Sequence, residues 1–158
     1  MMLPCTIVVQ AAEGHIHAVI VSGGMNRLMN HERYWNDCAF LYRTLRQTYN
    51  VPKRNITVLM SDGSDPEKDM LRADGLGFLS SPMDLDGDGQ WDVAQAATRQ
   101  TVSRTFMQLS NQLTADDSLL LFTKAAYLSR QVYTLGCGLV NEALGFPFRF
   151  QQHSIFVY

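Results

Sequence analysis

The sequence contains no run of lysine and arginine. Its 13 basic and 15 acidic residues give a formal net charge of −2. A near-neutral balance of this kind offers no electrostatic footprint for nucleic acid, so no nucleic-acid partner is expected. Long hydrophobic runs are also missing. No stretch approaches the roughly 18 to 20 apolar residues of a membrane-spanning helix. Cysteine is scarce, with three in 158 residues at Cys5, Cys38 and Cys137. An odd number in no metal-like spacing indicates neither a disulfide framework nor a zinc site.

What is present suffices for one domain with a real core. Charge is unevenly spread: 24 of the 28 charged residues precede Lys124. The last 35 residues hold only Lys124, Arg130, Glu142 and Arg149, and no aspartate. Residues 124–158 therefore read as a divergent tail. Residues 1–14 include the mildly apolar MMLPCTIVVQAA and have no Lys or Arg. They read as an edge strand or the remnant of a leader.

Between these ends the pattern is regular. His17 to Ser22 (HAVIVS) is a β-branched apolar run that ends at Gly23-Gly24 and reads as a buried strand. Asn30 offers a side-chain cap for a helix from about His31 to Thr48. Trp35, Cys38, Tyr42, Leu45 and Tyr49 recur on one face of it, and Pro52 stops it. Ile56 to Met60 (ITVLM) is a second buried strand. Ser61 to Asp92 is rich in Gly, Asp, Ser and Pro and reads as a long loop. A second helix is expected from about Val93 to Leu113, with Val102, Phe106, Leu109 and Leu113 on its apolar face. Ser118 to Thr123 (SLLLFT) is a third buried strand.

Strand, helix, strand, helix, strand predicts an α/β fold with a mainly parallel sheet and helices packed across it. Ligands in such folds bind at the carboxyl ends of the strands. Those ends are Gly23-Gly24, Ser61-Asp62-Gly63 and the residues after Thr123. No Gly-x-Gly-x-x-Gly turn follows the first strand, which argues against a flavodoxin-like or Rossmann-like domain.

The clearest chemical motif is Asp84-Leu85-Asp86-Gly87-Asp88-Gly89-Gln90-Trp91-Asp92. Carboxylates stand at positions 1, 3, 5 and 9, with glycine at position 6, the spacing of an EF-hand-type calcium loop. Asp84, Asp86, Asp88, Gln90 and Asp92 are the candidate ligands. Position 12, where a bidentate Glu normally closes the site, is Gln95, which lowers the charge. The bland reading is an Asp/Gly-rich surface turn without metal. Bound calcium would rigidify the loop rather than do chemistry. His15 and His17 share a strand face but have no further ligand nearby.

Several ordered motifs carry a family resemblance. They are Ala18 to Gly24 (AVIVSGG), Asn30 to Ala39 (NHERYWNDCA), Asn55 to Asp62 (NITVLMSD) and Asp116 to Thr123 (DDSLLLFT), together with the acidic loop. From about His15 to Thr123 the chain resembles the amino-terminal half of a legumain-like cysteine peptidase of the caspase-like group, closest to the bacterial type. The resemblance implies a three-layer α/β/α sandwich, incomplete here, and hydrolysis of a peptide or protein substrate by a Cys-His dyad. In that chemistry a thiolate attacks the carbonyl while the imidazole protonates the leaving amine. It also implies that Arg33, four residues before Asp37, binds an acidic side chain of the substrate. Tyr34 replaces the family's adjacent His, and the bland reading of Arg33 is a helix residue paired with Glu32 or Asp37.

The pattern breaks after Thr123. Lys124-Ala125-Ala126-Tyr127 stands where the family places a His-Gly segment. Gln131 to Gly136 could end a strand at Cys137, but about seven residues are too few for a parallel crossover, which takes a dozen or more. Cys137 is therefore not read as a nucleophile, and Cys38 is read as core. The expectation is the amino-terminal part of a peptidase, interrupted by a frameshift or gene-prediction error, and inactive. The alternative is a non-catalytic, calcium-binding caspase-like interaction module. A calcium loop fits a secreted or cell-surface setting, where calcium is plentiful. The apolar residues Phe146, Phe148, Phe150, Ile155, Phe156, Val157 and Tyr158 either patch the exposed edge of the third strand or stay disordered and aggregate.

Overall fold

A computed structural model describes residues 14–23, 26–61, 63–125 and 155–157. In chain order the elements are β1 (Ile16–Gly23), α1 (Glu32–Arg43), β2 (Ile56–Met60), β3 (Lys68–Leu71) and β4 (Phe78–Ser80). They continue with β5 (Val93–Gln95), α2 (Arg99–Gln112), β6 (Ser118–Ala125) and β7 (Ile155–Val157). Five strands form one sheet in the order β5-β2-β1-β6-β7, every neighbouring pair parallel. β3 and β4 form a separate antiparallel pair. The fold is mixed α/β with a parallel sheet. No helix among the described residues is long and apolar enough to cross a membrane.

The alternation of β1 explains the layers. Ala18 and Ile20 face α1, where Trp35, Cys38, Tyr42 and Leu45 are buried against Val58 and Met60. Val19 faces α2 on the other side, with Phe106, Leu109, Leu119 and Leu121. Both sheet faces are covered, so the strands are apolar at every position rather than at alternate ones. Each fully buried large side chain contributes roughly 1.5 to 3 kcal/mol by leaving water.

Four expectations need correction. First, the helical run reaches Thr48 as expected but is not α-helical throughout, and Tyr49 does not share its buried face. α1 ends at Arg43 and passes into a π turn over Thr44–Thr48. Val51 then bonds back to the Leu45 carbonyl at 2.9 Å, across Asn50 in left-handed φ of 53°. This reversal leaves Tyr49 exposed.

Second, Asn30 does not cap α1. The N-cap is His31, with no side-chain bond, and the Asn30 side chain is spent elsewhere. Third, Val93 begins a strand, not a helix. The second helix starts six residues later, where Thr98 and Thr101 form a reciprocal capping box. Fourth, the long loop contains β3 and β4, whose two short strands show too little alternation to be read.

The strands fall where they were read, within two residues at each end. β7 pairs with β6 in the register Leu119↔Ile155 to Leu121↔Val157, so Ile155–Val157 patch that edge, while Phe146, Phe148, Phe150 and Tyr158 lie outside the described residues.

Candidate functional site

The carboxyl ends of β1, β2 and β6 lie side by side, because Ser22 pairs with both Met60 and Lys124. One buried side chain organises this edge. Asn30 is 3% exposed. Its Oδ1 accepts from the Trp35 indole at 2.6 Å and from the Ser61 hydroxyl at 2.9 Å. Its Nδ2 donates to Asp69 at 3.3 Å, and its carbonyl accepts from Leu71 N–H at 2.7 Å. Ser61 carries an unusual φ of 20°, held by its N–H bond to the Ser22 carbonyl. Gly63, at φ 74°, lies so close to the backbone of Ala96 that an added Cβ would sit 2.5 Å from its nitrogen.

The first turn of α1 brings Arg33 to this edge. Arg33 is exposed, and its guanidinium lies over the Tyr34 ring at 5.0 Å while donating to the Tyr34 hydroxyl at 3.1 Å. Lys124, from the end of β6, approaches the same ring at 5.9 Å and pairs with Asp37 at 2.9 Å. Glu32 accepts instead from the Ala73 backbone. Arg33 therefore pairs with neither Glu32 nor Asp37, and no carboxylate among the described residues forms an ion pair with it.

Cys38 is the one cysteine among the described residues and is fully buried, as read. Burial pushes its thiol up to about 12, against the opposing Ser22 hydrogen bond. At neutral pH it is a protonated thiol, not a nucleophile. Cys5, Cys137, His153, Gly24 and Asp62 lie outside the described residues.

The acidic loop forms a second cluster. Oxygens of Asp84, Asp86 and Asp88 lie within 4.8 Å of one another, an all-oxygen set suited to a hard cation. The turn is built from its own backbone. Asp84 accepts from Gly87 and Gly89 N–H at 2.7 and 2.8 Å. Asp86 accepts from Asp88, and Asp88 from Gln90. Gly87 and Gly89 both take φ of 83°, which requires glycine. The bond from Gly89, foremost among these, holds the Asp84 carboxyl below its ordinary value.

Two expected ligands are placed apart from this cluster. Asp92 turns inward, with a fully buried side chain. It accepts from the Tyr42 hydroxyl at 2.7 Å and Leu85 N–H at 2.7 Å, and pairs with Lys53 at 2.6 Å. Burial alone would raise its carboxyl, but Lys53, Tyr42 and Leu85 outweigh that and hold it low. Gln90 is exposed and contributes its backbone N–H to Asp88.

No family model, curated protein or solved structure matches the chain.

Sequence reasoning missed the roles of Asn30, Lys53 and Lys124. A signal existed for one partner. Tyr42 falls on the buried face of α1, and a buried tyrosine hydroxyl needs an acceptor. Nothing in the spacing marked Lys53, which reaches Asp92 from a single 3-10 turn at Lys53–Asn55.

Proposed function

We propose that residues 15–123 are the amino-terminal part of a caspase-like cysteine peptidase, an incomplete α/β/α sandwich, and that this chain does not itself hydrolyse peptides. The observation that carries the reading is the position of Arg33. It stands at the carboxyl edge of a parallel sheet, on the face of Tyr34, with no carboxylate partner among the described residues. There it is available to an acidic side chain of a peptide or protein substrate. The thiol and imidazole required for attack are not assembled at this edge among the described residues, since Cys38 is buried and protonated.

The test has two arms. Fluorogenic peptides ending in Asp, Asn, Arg or Lys are offered to the purified chain, with no cleavage expected. Cleavage abolished by Cys137→Ala would overturn the reading. The encoding DNA is then sequenced past Thr123. A His-Gly and Cys segment in another reading frame supports an interrupted peptidase, whereas one clean frame in related genes refutes the interruption.

A second reading is favoured by the cluster of Asp84, Asp86 and Asp88. On it the chain is a non-catalytic, calcium-binding interaction module, working in a secreted or cell-surface setting. Calcium would be held by those three carboxylates and would order the outer rim of the loop.

A further inference from the structure

We propose that Lys53 is the internal cation that seats the acidic loop on the core, and that through β5 it sets the position of Ala97 at the carboxyl edge of the sheet. The argument starts at the neck of the loop. Asp92 N–H donates to the Met83 carbonyl at 2.8 Å, and the Asp92 carboxylate receives Leu85 N–H from the opposite side of the neck. One residue therefore closes the turn with its backbone and its side chain together.

That carboxylate is buried and charged, so it requires a counter-charge and saturated acceptors. Lys53 supplies the charge at 2.6 Å, and its ammonium lies 3.9 Å from Asp88 as well. Tyr42 supplies the second side-chain donor. Arg43 and Arg46 of the preceding helical segments add a bond to the Leu85 carbonyl at 2.9 Å and a contact with Asp86 at 3.8 Å. Leu85 itself is 3% exposed and belongs to the α1 side of the core. The loop is thus attached by protein groups on its inner side, while Asp84 is bonded only within its own turn.

The attachment continues into the sheet across one irregularity, where β5 gains a residue at Ala94 relative to β2. Val93, next to Asp92, pairs with Val58, and Gln95 pairs with Leu59. Two residues on, Ala97 N–H donates to the Ser61 carbonyl at 3.2 Å. A Cβ added at Gly23 would lie 3.3 Å from the Ala97 Cβ. β5 has only three residues, so its place on β2 depends on what holds its ends. Lys53 holds one end through Asp92, and Ala97 is the other. Lys53 is thus a positioning residue for the strand ends, and calcium on the outer carboxylates is not needed for the effect.

The experiment is amide hydrogen exchange, residue by residue, on the full chain in calcium and in EDTA. In Lys53→Met the amides of Leu85, Asp92, Val93 and Ala97 should exchange about tenfold faster or more, as expected on removing a bond to a charged group. Ile20 and Leu121 should keep their protection. In EDTA the four wild-type amides should still exchange more slowly than those of Lys53→Met, whether or not calcium adds further protection. Should Lys53→Met fail to fold, Tyr42→Phe reads the same segment with its ring retained and should loosen it by less. Unchanged exchange in these variants overturns the proposal. So does a wild-type protein whose four amides exchange in EDTA as fast as those of Lys53→Met, because a metal would then be seating the loop.

Discussion

The indole N–H of Trp35 donates to the Asn30 side chain at 2.6 Å, and both residues are buried. The same oxygen receives the Ser61 hydroxyl, so one amide joins the approach to α1 to the end of β2. Asn30→Ala leaves an indole N–H and a hydroxyl without their acceptor. The expected cost is about 1 to 3 kcal/mol, from one buried indole N–H and one half-buried hydroxyl left without their acceptor. Urea unfolding followed by circular dichroism measures it. A midpoint equal to that of the wild type would show that water replaces the amide and that Asn30 is not the organiser of this edge.

Acid should weaken the amino end of β6. Asp117 accepts from Thr114 N–H, His15 N–H and the Thr114 hydroxyl, at 2.7 to 2.9 Å. These bonds, the Thr114 amide foremost, lower its carboxyl from 3.8 to about 2. A lowered acid stabilises the fold in its charged form. That contribution is complete above the ordinary value and disappears as pH falls through the folded one. Asp117→Asn should therefore cost about 2 kcal/mol at neutral pH. The difference from wild type should shrink between pH 4 and pH 2. A gap that stays constant across that range contradicts the assignment.

Calcium and loop attachment should separate by mutation. If the outer carboxylates bind calcium, saturating ion should raise the melting temperature by about 5 °C, the linkage expected for a domain of this size. Asp84→Asn should abolish the rise. Asp92→Asn should lower the melting temperature in EDTA yet leave the calcium-induced rise in place. Loss of the rise in Asp92→Asn would mean that the ninth position is a ligand after all.

Thiol chemistry offers a fourth check. Cys38 is fully buried, and its thiol is raised to about 12. At pH 7 iodoacetamide should modify it only after unfolding by urea, since the thiolate is the reactive form. Rapid modification of Cys38 in the native protein, located by peptide mass, would contradict its place in the core.

The parts of this fold that the sequence displays are those where one physical preference acts alone. Ile56 to Met60 is apolar at every position because both sheet faces are covered, and its bounds match the strand. Phe106 and Leu109 keep helical spacing because one face of α2 is buried. Val93 reads as helix but forms strand because the three-residue β5 merges into the start of a helical period. Asn30 reads as a cap but serves as a buried hub, because both roles require the same side-chain oxygen. At the candidate site, Asp84, Asp86 and Asp88 were visible because local spacing alone gathers them. Asp92 has the same spacing, but Lys53 and Tyr42 draw it inward, and contacts from distant segments leave no mark in a local motif.

Among the described residues the two outer strands of the sheet, β5 and β7, each have three residues, against eight in β1 and β6. A lateral strand of that length presents few free amides and carbonyls to another chain. Among the described residues the ladder is therefore longest at the centre and shortest at the edges, an arrangement that limits strand-to-strand self-association. Extending β5 beyond Gln95 would trade that protection for a longer template.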